Sequence, residues 1–456
     1  MFALCRTSKT IPRSLVLCIR GNATVTVAPN VAESTILKPT TSAPAAAASD
    51  LPVTTEDATT KGRKRRKQAP KRPDISLSTP RKWNRPLGEG VVPAYDLALQ
   101  ELKKDSAQLK KEAAQLRKVV EAKEAEFQAL SGKLQASKIP ETQQAIRQEM
   151  DALDAELETK LAKLKILDVQ SDINLPWIRW QVNNAMADMN SVSHRYLVEQ
   201  KWRNDGDLDL LMERLYQMNV VPDVLPVIKP SLDLHLIVRA RPAEFIEESK
   251  IQTHVEPGSF VKPKQTKVPP KLRVNVFHTD TRLYTMLLVD PDVPDPENQR
   301  YTTFLHWMKP NIPLSATSPH NLIDLNTHTK YIPPHPQQGT PYHRYVVLLL
   351  PQPPLGASDY TLAAASRAIA GKPTSVHLNI PVVSIEQRLG FNVREFSQRW
   401  NLDASKGGGA HMFREVWDEE VSSIYKSVLG QEEPRYGRPP RMDAYAHLKG
   451  KKKYIL

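Results

Sequence analysis

The spacing of apolar side chains divides the chain into a helical part and a strand-rich part. From residue 96 onward, leucines recur in one seven-residue register, with Lys123 at the missing step: Leu102, Leu109, Leu116 and Leu130. A second stripe runs from about Glu141 to Leu167, mostly at three- and four-residue spacings. These spacings predict two amphipathic helices with coiled-coil-like stripes, interrupted at Gly132 and Pro140.

Each of these helices needs a partner surface, because its apolar stripe is narrow. The pattern leaves two points open. The helices either form a hairpin or continue at an angle, and they pack either on this chain or on another molecule.

From residue 221 the pattern changes to short apolar runs separated by proline, aspartate and asparagine. The runs predict strands at 234–238, 273–277, 284–289 and 345–350. Their spacing and the proline density favour an antiparallel β-sandwich over alternating β–α units. Helical stretches are expected near its end, at 384–396 and 413–425. The fold class is therefore α+β, with a helical extension before the sandwich and basic disordered arms.

Composition divides the chain further. Five segments are predicted: a mitochondrial presequence at 1–30, a disordered basic arm at 31–95, a helical extension at 96–220, the sandwich at 221–427 and a basic tail at 428–456.

The amino-terminal segment has the composition of an import signal. Residues 1–32 contain no Asp or Glu but several Arg and Lys, which is typical of a mitochondrial presequence; an ordinary disordered tail is the alternative. Both cysteines, Cys5 and Cys18, lie there. Its removal would leave no thiol for a disulfide, a nucleophile or a zinc ligand.

Positive charge is concentrated in two segments. The net charge is +13, yet 61–85 has eleven Lys or Arg against Asp74, and 435–456 has seven against Asp443. Such arms on a near-neutral body suit a polyanion. A nuclear localisation signal and a solvated charge run remain alternatives, and Trp83 is expected to stack on a base or pack on protein. The predicted RNA contacts are Lys61, Arg63, Lys64, Arg65, Arg66, Lys67, Lys71, Arg72, Arg81, Lys82, Arg85, Lys449, Lys451, Lys452 and Lys453.

Three motifs in the strand-rich part carry candidate chemistry. They are Asp290-Pro-Asp-Val-Pro294, Phe304-Leu-His-Trp307 and Gly339-Thr-Pro-Tyr-His-Arg-Tyr-Val346. They place Asp290, His306 and His343 where strands could bring them together. One carboxylate with two imidazoles could bind a small anion or a metal, whereas a single histidine is more often a structural hydrogen-bonding residue.

In this order, the motifs resemble the phosphatidylethanolamine-binding protein family over roughly residues 221–427. The resemblance implies a β-sandwich with a small anion pocket. Carried onto this chain, the pocket residues are Asp290, Asp292, His306, His343 and Tyr345. The chain departs from the family pattern at the rim, where Pro333 replaces a glycine and so offers no backbone N–H. His335 also differs, and the glycine-rich stretch 406–410 is expected to be a flexible connection. Anion binding is therefore expected to be weak or absent.

The segments around the domain suggest its use. A presequence-like start, basic arms and helices around this domain resemble family-related proteins of the mitochondrial large ribosomal subunit, fungal forms in particular. We therefore expect a structural, non-catalytic protein of the mitochondrial matrix. Its expected partners are the large-subunit rRNA and neighbouring ribosomal proteins, with no cofactor, no metal and no integral membrane association. The alternatives are a phospholipid- or phosphate-binding regulator and a nuclear scaffold.

Overall fold

The computed structural model describes residues 75–137, 139–248, 250–355, 360–367 and 371–437. The predicted presequence, the basic residues at 61–72 and those at 449–453 lie outside the described residues. Among the described residues, none of the helices has the length and apolar character needed to span a bilayer.

Helices dominate the first half of the described chain, and strands the second. The helices are α1 (Pro93–Ala136), α2 (Pro140–Ile173), α3 (Pro176–Asn183), α4 (Val192–Asn204), α5 (Asp207–Gln217), α6 (Val220–Asp223), α7 (Pro242–Glu248), α8 (Pro263–Thr266), α9 (Leu362–Ser366), α10 (Val393–Trp400) and α11 (Glu419–Ile424). The strands are β1 (Asp233–Arg239), β2 (Gln252–Val255), β3 (Lys271–Asn275), β4 (Arg282–Asp295), β5 (Arg300–Leu314), β6 (His343–Pro351) and β7 (Gly409–Glu415).

Helices α1 and α2 form an antiparallel hairpin, which settles the first open point. Pro140 starts α2, whereas Gly132 does not interrupt α1. The most buried positions of α1 repeat every seven residues, three residues before the leucines of the sequence register: Leu99, Ser106, Ala113 and Val120. Small side chains at these positions let the helices approach closely. Ion pairs join the hairpin along its length, at Lys110–Asp172, Arg117–Asp168 and Lys123–Glu156.

The hairpin packs on its own chain through the short helix α9, which answers the second open point. The carboxylate of Glu158 accepts hydrogen bonds from the backbone N–H groups of Leu362 and Ala363, at 3.1 and 2.9 Å. It therefore satisfies two donors that a helix leaves unpaired at its amino terminus. Ala363 is buried against the hairpin core, and Arg367 pairs with Asp154 and lies over the Phe127 ring.

Within the described residues, seven strands form two antiparallel sheets, so the predicted antiparallel sandwich is confirmed. The smaller sheet has the order β2-β1-β3 and the larger has the order β5-β4-β6-β7. Apolar side chains from both sheets form the core between them, among them Leu236, Val274, Met286 and Phe413. Helices α5, α6 and α10 cover the other face of the larger sheet. Because the central strands β4 and β6 are buried on both faces, they appear in the sequence as continuous apolar runs.

Two of the expected helical stretches were wrong. Within 384–396 only the last residues belong to α10, since the structure is irregular before Val393. The stretch 413–425 begins instead as the end of β7, which pairs with β6, and becomes helical only at Glu419. Pairing with a neighbouring strand outweighed the local preference there.

The glycines at 407–409 are also not a loose connection, contrary to expectation. Gly408 has a φ of +108°, and an added Cβ would lie 2.3 Å from the carbonyl oxygen of Leu349. Leu232 and Ser231 donate backbone hydrogen bonds to the Gly408 carbonyl. Glycine is needed there because the backbones of two segments approach too closely for a side chain.

Candidate functional site

Three adjacent strands bring the predicted pocket residues together. Asp290 lies on β4, His306 on β5 and His343 at the start of β6, and β4 pairs with both neighbours. All three residues are at most 2% exposed, and Tyr345 beside them is fully buried. The histidine rings and Tyr345 are in contact, with a distance of 5.3 Å between the ring centres of His306 and Tyr345.

Asp290 and His343 form an internal ion pair. The Nδ1 of His343 donates to Asp290 at 2.7 Å. The hydroxyl of Thr340 donates its single hydrogen to the carbonyl of Gln337 at 2.7 Å. Its oxygen therefore accepts from the Nε2 of His343, at 3.0 Å. Both ring nitrogens of His343 thus act as donors, which is the hydrogen-bonding pattern of the imidazolium form.

Electrostatics agree with this assignment. Burial opposes both charges, but the adjacent imidazolium lowers the pKa of Asp290 and the adjacent carboxylate raises the pKa of His343. The two charges therefore neutralise one another inside the sandwich.

The other two histidines of the cluster are neutral. Burial, reinforced by the neighbouring His335, lowers the pKa of His306 to about 3. Burial also lowers the pKa of His335. Each ring donates from Nδ1 to a backbone carbonyl, His306 to Ile332 and His335 to Pro333. Neutral rings beside a compensated ion pair give a phosphate group little to bind.

Unpaired polar atoms nevertheless line the cluster. The Nε2 of His306 and the Oε1 of Gln337 are buried without a hydrogen-bond partner among the described residues. The hydroxyl of Tyr345 also lacks a well-aligned partner, and burial, together with the nearby Asp290, raises its pKa. Such a group of atoms could hydrogen-bond a water molecule or a small polar ligand.

Asp292 does not join the cluster. Its carboxylate accepts three hydrogen bonds from the side chain of Arg344 at 2.7–3.1 Å and one from the Arg344 backbone. Arg344 also pairs with Asp223. Asp292 therefore holds in place the arginine that joins β6 to the helical layer, and its backbone N–H donates to Asp290.

The chain's own carboxyl-terminal segment closes the rim of the cluster. We call residues 431–437 the strap. The backbone N–H of Tyr436 donates to the carbonyl of Gln338 at 2.8 Å. The carbonyl oxygen of Tyr436 lies where a Cβ of Gly339 would be. The carboxylate of Glu433 accepts from Trp417 and Ser422. A proline-rich wall, which includes the buried Pro333, and a tightly held strap together enclose the cluster.

Sequence reasoning missed two members of this region. His335 was noted only as a departure from the family pattern, yet its ring lies 5.0 Å from that of His306. Glu415, directly opposite His343 in the β6–β7 pairing, is fully buried. It accepts from Thr266 at 2.7 Å, and burial raises its pKa well above the ordinary value. Its place after an apolar run was the only available signal.

Three of the predicted RNA-contact residues lie within the described part of the chain. Arg81 and Lys82 are exposed. Arg85 is held locally, because it pairs with Glu89 and Asp96 and its guanidinium lies 5.2 Å from the centre of the Tyr95 ring. Trp83 contacts Trp177, with ring centres 6.1 Å apart. Of the two expected roles for Trp83, packing on protein is the one observed.

Comparison with known proteins identifies the class of this domain. The family model for phosphatidylethanolamine-binding protein matches residues 244–386. The protein MOTHER of FT and TFL1 homolog 2 from Oryza sativa subsp. japonica is 32% identical over 136 residues, which are 27% of this chain and 72% of that protein. The chain belongs to the phosphatidylethanolamine-binding protein family.

A second relative resembles more of the chain. The large ribosomal subunit protein mL38 of Schizosaccharomyces pombe is 26% identical over 283 residues, which are 62% of this chain and 80% of that protein. Among solved structures, a phosphatidylethanolamine-binding protein from Plasmodium falciparum is 17% identical, covers 45% of this chain and 96% of its own, and gives a TM-score of 0.27.

Proposed function

We propose that the chain is a structural constituent of the mitochondrial large ribosomal subunit, where it binds rRNA and neighbouring ribosomal proteins. The observation that carries this proposal is the extent of the likeness to a large ribosomal subunit protein. That likeness spans 283 residues, whereas the family model matches only residues 244–386. It therefore extends beyond the family domain into the surrounding segments.

Charge and composition support the location and the polyanionic partner. The acid-free residues 1–32 suit import into mitochondria. The basic segments 61–85 and 435–456 would gain affinity by displacing counterions from rRNA phosphates. Such contacts position a protein without reading sequence.

The closed cluster between the sheets also supports a structural role. Its one ion pair is satisfied internally, and the strap covers the rim at Gly339. The domain then acts as a rigid, non-catalytic body whose surface contacts rRNA and neighbouring ribosomal proteins.

Sedimentation of endogenous protein from purified mitochondria tests the proposal. We expect co-migration with the large ribosomal subunit in low salt, surviving moderate salt. Migration as a small free species in both conditions would contradict it.

A phospholipid- or phosphate-binding regulator is the second candidate. It is favoured by the unpaired atoms of His306, Gln337 and Tyr345 and by the family relationship. Titration of the full chain with inorganic phosphate and with phosphoethanolamine tests it. A dissociation constant tighter than micromolar would favour the regulator, and the structural account predicts no binding in that range.

A further inference from the structure

The outer side of strands β6 and β7 carries an exposed cluster of aromatic and apolar side chains around one arginine. We call Phe260, Tyr342, Arg414 and Val416 the aromatic–arginine patch. Phe260 is 56% exposed, Tyr342 41% and Val416 45%. Large apolar side chains gathered at one place on a surface mark an interaction site more often than scattered ones do.

The backbone holds the patch rigidly. Arg414 lies on β7, and the segment containing Phe260 runs parallel beside it. The N–H of Arg414 donates to the carbonyl of Ser259, and the N–H of Val261 donates to the carbonyl of Arg414, both at 2.9 Å. Phe260 and Tyr342 meet edge to face, with ring centres 5.9 Å apart. The side chains are therefore pre-organised, which lowers the entropy cost of binding a partner.

The guanidinium of Arg414 lies over both of these rings. Its central carbon lies 4.0 Å from the centre of the Phe260 ring and 5.1 Å from that of Tyr342. The Nε donates to the carbonyl of Gly258 at 2.7 Å. Neither terminal nitrogen has a carboxylate partner among the described residues, whereas Arg344, directly across the strand pair, pairs with both Asp292 and Asp223.

We propose that the aromatic–arginine patch docks a protein segment that presents a carboxylate flanked by apolar side chains. A planar guanidinium with both terminal nitrogens available matches a carboxylate in bidentate geometry. Tyrosine and arginine are also the residue types that dominate binding energy in protein interfaces. The patch adds a protein-binding surface to the proposed function, which assigns rRNA contacts to the basic arms.

The surrounding charges favour a protein over RNA. Arg344 is neutralised by two aspartates, and Lys262 and Glu256 place opposite charges at the two ends of the adjoining loop. The patch, with Arg414 and with Arg214 beside the adjoining Gly258, lacks the larger cluster of cations that binds a phosphate backbone. It resembles the core of a protein interface, which is rich in aromatic residues and arginine and poor in lysine.

Site-specific photo-crosslinking in intact cells tests the inference. The full chain carries p-benzoylphenylalanine at Val416 or, as the control, at Phe245, which is 57% exposed on α7. We expect crosslinks from position 416 to a peptide that contains Asp, Glu or a chain carboxyl terminus, at a yield about tenfold above the control. Substituting Arg414→Gln should lower the yield about tenfold, as for an interface hot spot.

Matched variants separate binding from folding. Arg399→Gln removes another arginine that lies over an aromatic ring, that of Trp400, and should leave the yield unchanged. Arg414→Lys keeps the charge but loses the planar fork, and should give an intermediate yield. Thermal unfolding of each variant verifies the fold, and Phe260→Ala serves as the second test if Arg414→Gln does not fold.

Three outcomes would overturn the inference. They are crosslinks to RNA nucleotides, a yield at 416 no greater than at 245, and a yield that Arg414→Gln or its substitute leaves unchanged. The crosslinks form before cell lysis, so they are independent of ribosome purification. Sedimentation tests whether the chain is part of the ribosomal subunit, and crosslinking tests whether the aromatic–arginine patch binds a protein.

Discussion

The inner and outer sides of strands β6 and β7 differ at His343 and at Arg414. On the inner side, His343 and Glu415 are buried between the sheets, and His343 has partners on both ring nitrogens. On the outer side, the guanidinium of Arg414 lies over two exposed rings, and its terminal nitrogens have no carboxylate partner among the described residues. The two strands thus bury His343 and Glu415 between the sheets and expose an aromatic surface around Arg414 at the end of their outer side.

This difference shows that the predicted pocket residues can lie together and still be buried from solvent. Asp290, His306 and His343 are adjacent, and the ion pair occupies Asp290 and His343, whereas the Nε2 of His306 and the hydroxyl of Tyr345 have no partner among the described residues. The capacity to bind other molecules then lies on the surface.

The largest effect on stability is expected from breaking the buried ion pair between Asp290 and His343. Asp290→Ala would leave the buried His343 without its counter-charge, and breaking a buried pair in this way costs about 3–5 kcal/mol. Urea unfolding of the full chain measures the loss. Asp295→Ala, which removes a carboxylate beside the exposed Arg300, is the control and should cost much less, because exposed ion pairs contribute little to stability. Equal losses of unfolding free energy in the two variants would mean that the buried ion pair stabilises the fold no more than the exposed one does.

The second effect is a pH dependence set by neutral buried histidines. Because the folded-state pKa of His306 is about 3, the unfolded chain binds a proton near pH 6.5 that the folded chain excludes. Stability is therefore lost as the pH falls from 6.5 towards 3. His335 acts in the same direction. His343 acts in the opposite one, since its raised pKa stabilises the fold below pH 6.5 and that contribution is lost as the pH rises through the folded value.

The variant His306→Gln isolates this contribution. The loss of unfolding free energy between pH 7 and pH 5 should be smaller than in the parent by about 2 kcal/mol. Urea unfolding at the two pH values measures it, with His377→Gln, an exposed histidine, as the control. An unchanged pH dependence would show that His306 is protonated in the fold.

A smaller effect is expected where the polar contact is peripheral. Glu158→Gln removes the charge that accepts the two N–H groups at the start of α9. The cost should be about 1 kcal/mol, as for loss of a helix cap. Faster hydrogen exchange at Leu362 and Ala363 would show that the loss arises at the start of α9. The control is Glu149→Gln, which changes an exposed residue of α2, the helix that contains Glu158. Unchanged exchange at both amides would argue against this anchoring of the hairpin.

The smallest global effect should come from releasing the strap. Gly339→Ala and Gly371→Ala share the strain of a positive φ, at +92° and +82°, but only the first meets Tyr436. Their unfolding free energies should differ by less than about 1 kcal/mol, because the strap is a surface segment. Hydrogen exchange at Tyr436 should rise in Gly339→Ala alone. Equal protection of Tyr436 in both variants would contradict the closed rim.

The sequence was most informative where apolar residues are continuous. The strands β1, β4 and β6 contain the predicted runs, because most of their side chains are buried in the core of the sandwich. Strand β5 escaped prediction as a strand because Lys309, Pro310 and Pro313 interrupt it, although it contains the His306 motif. In α1 the leucine register was visible, whereas Ser106 and Ala113 are more buried but do not stand out as apolar.

The site was predictable only in part for a similar reason. Motif order grouped Asp290, His306 and His343, and the structure brings these three together. Motif order could not show that Asp292 lies apart from the cluster, because the direction of its side chain depends on the ion pair with the distant Arg344. Nor could it place Glu415, whose burial depends on the pairing of β7 with β6.

Cryo-electron microscopy of purified mitochondrial large ribosomal subunits from the source organism would test the central claim most directly. We predict that the particle contains this chain, with its basic arms along rRNA and with no density larger than a water molecule beside His306 and Tyr345. A particle that lacks the chain, or a phosphate-sized group bound in the cluster, would contradict the account.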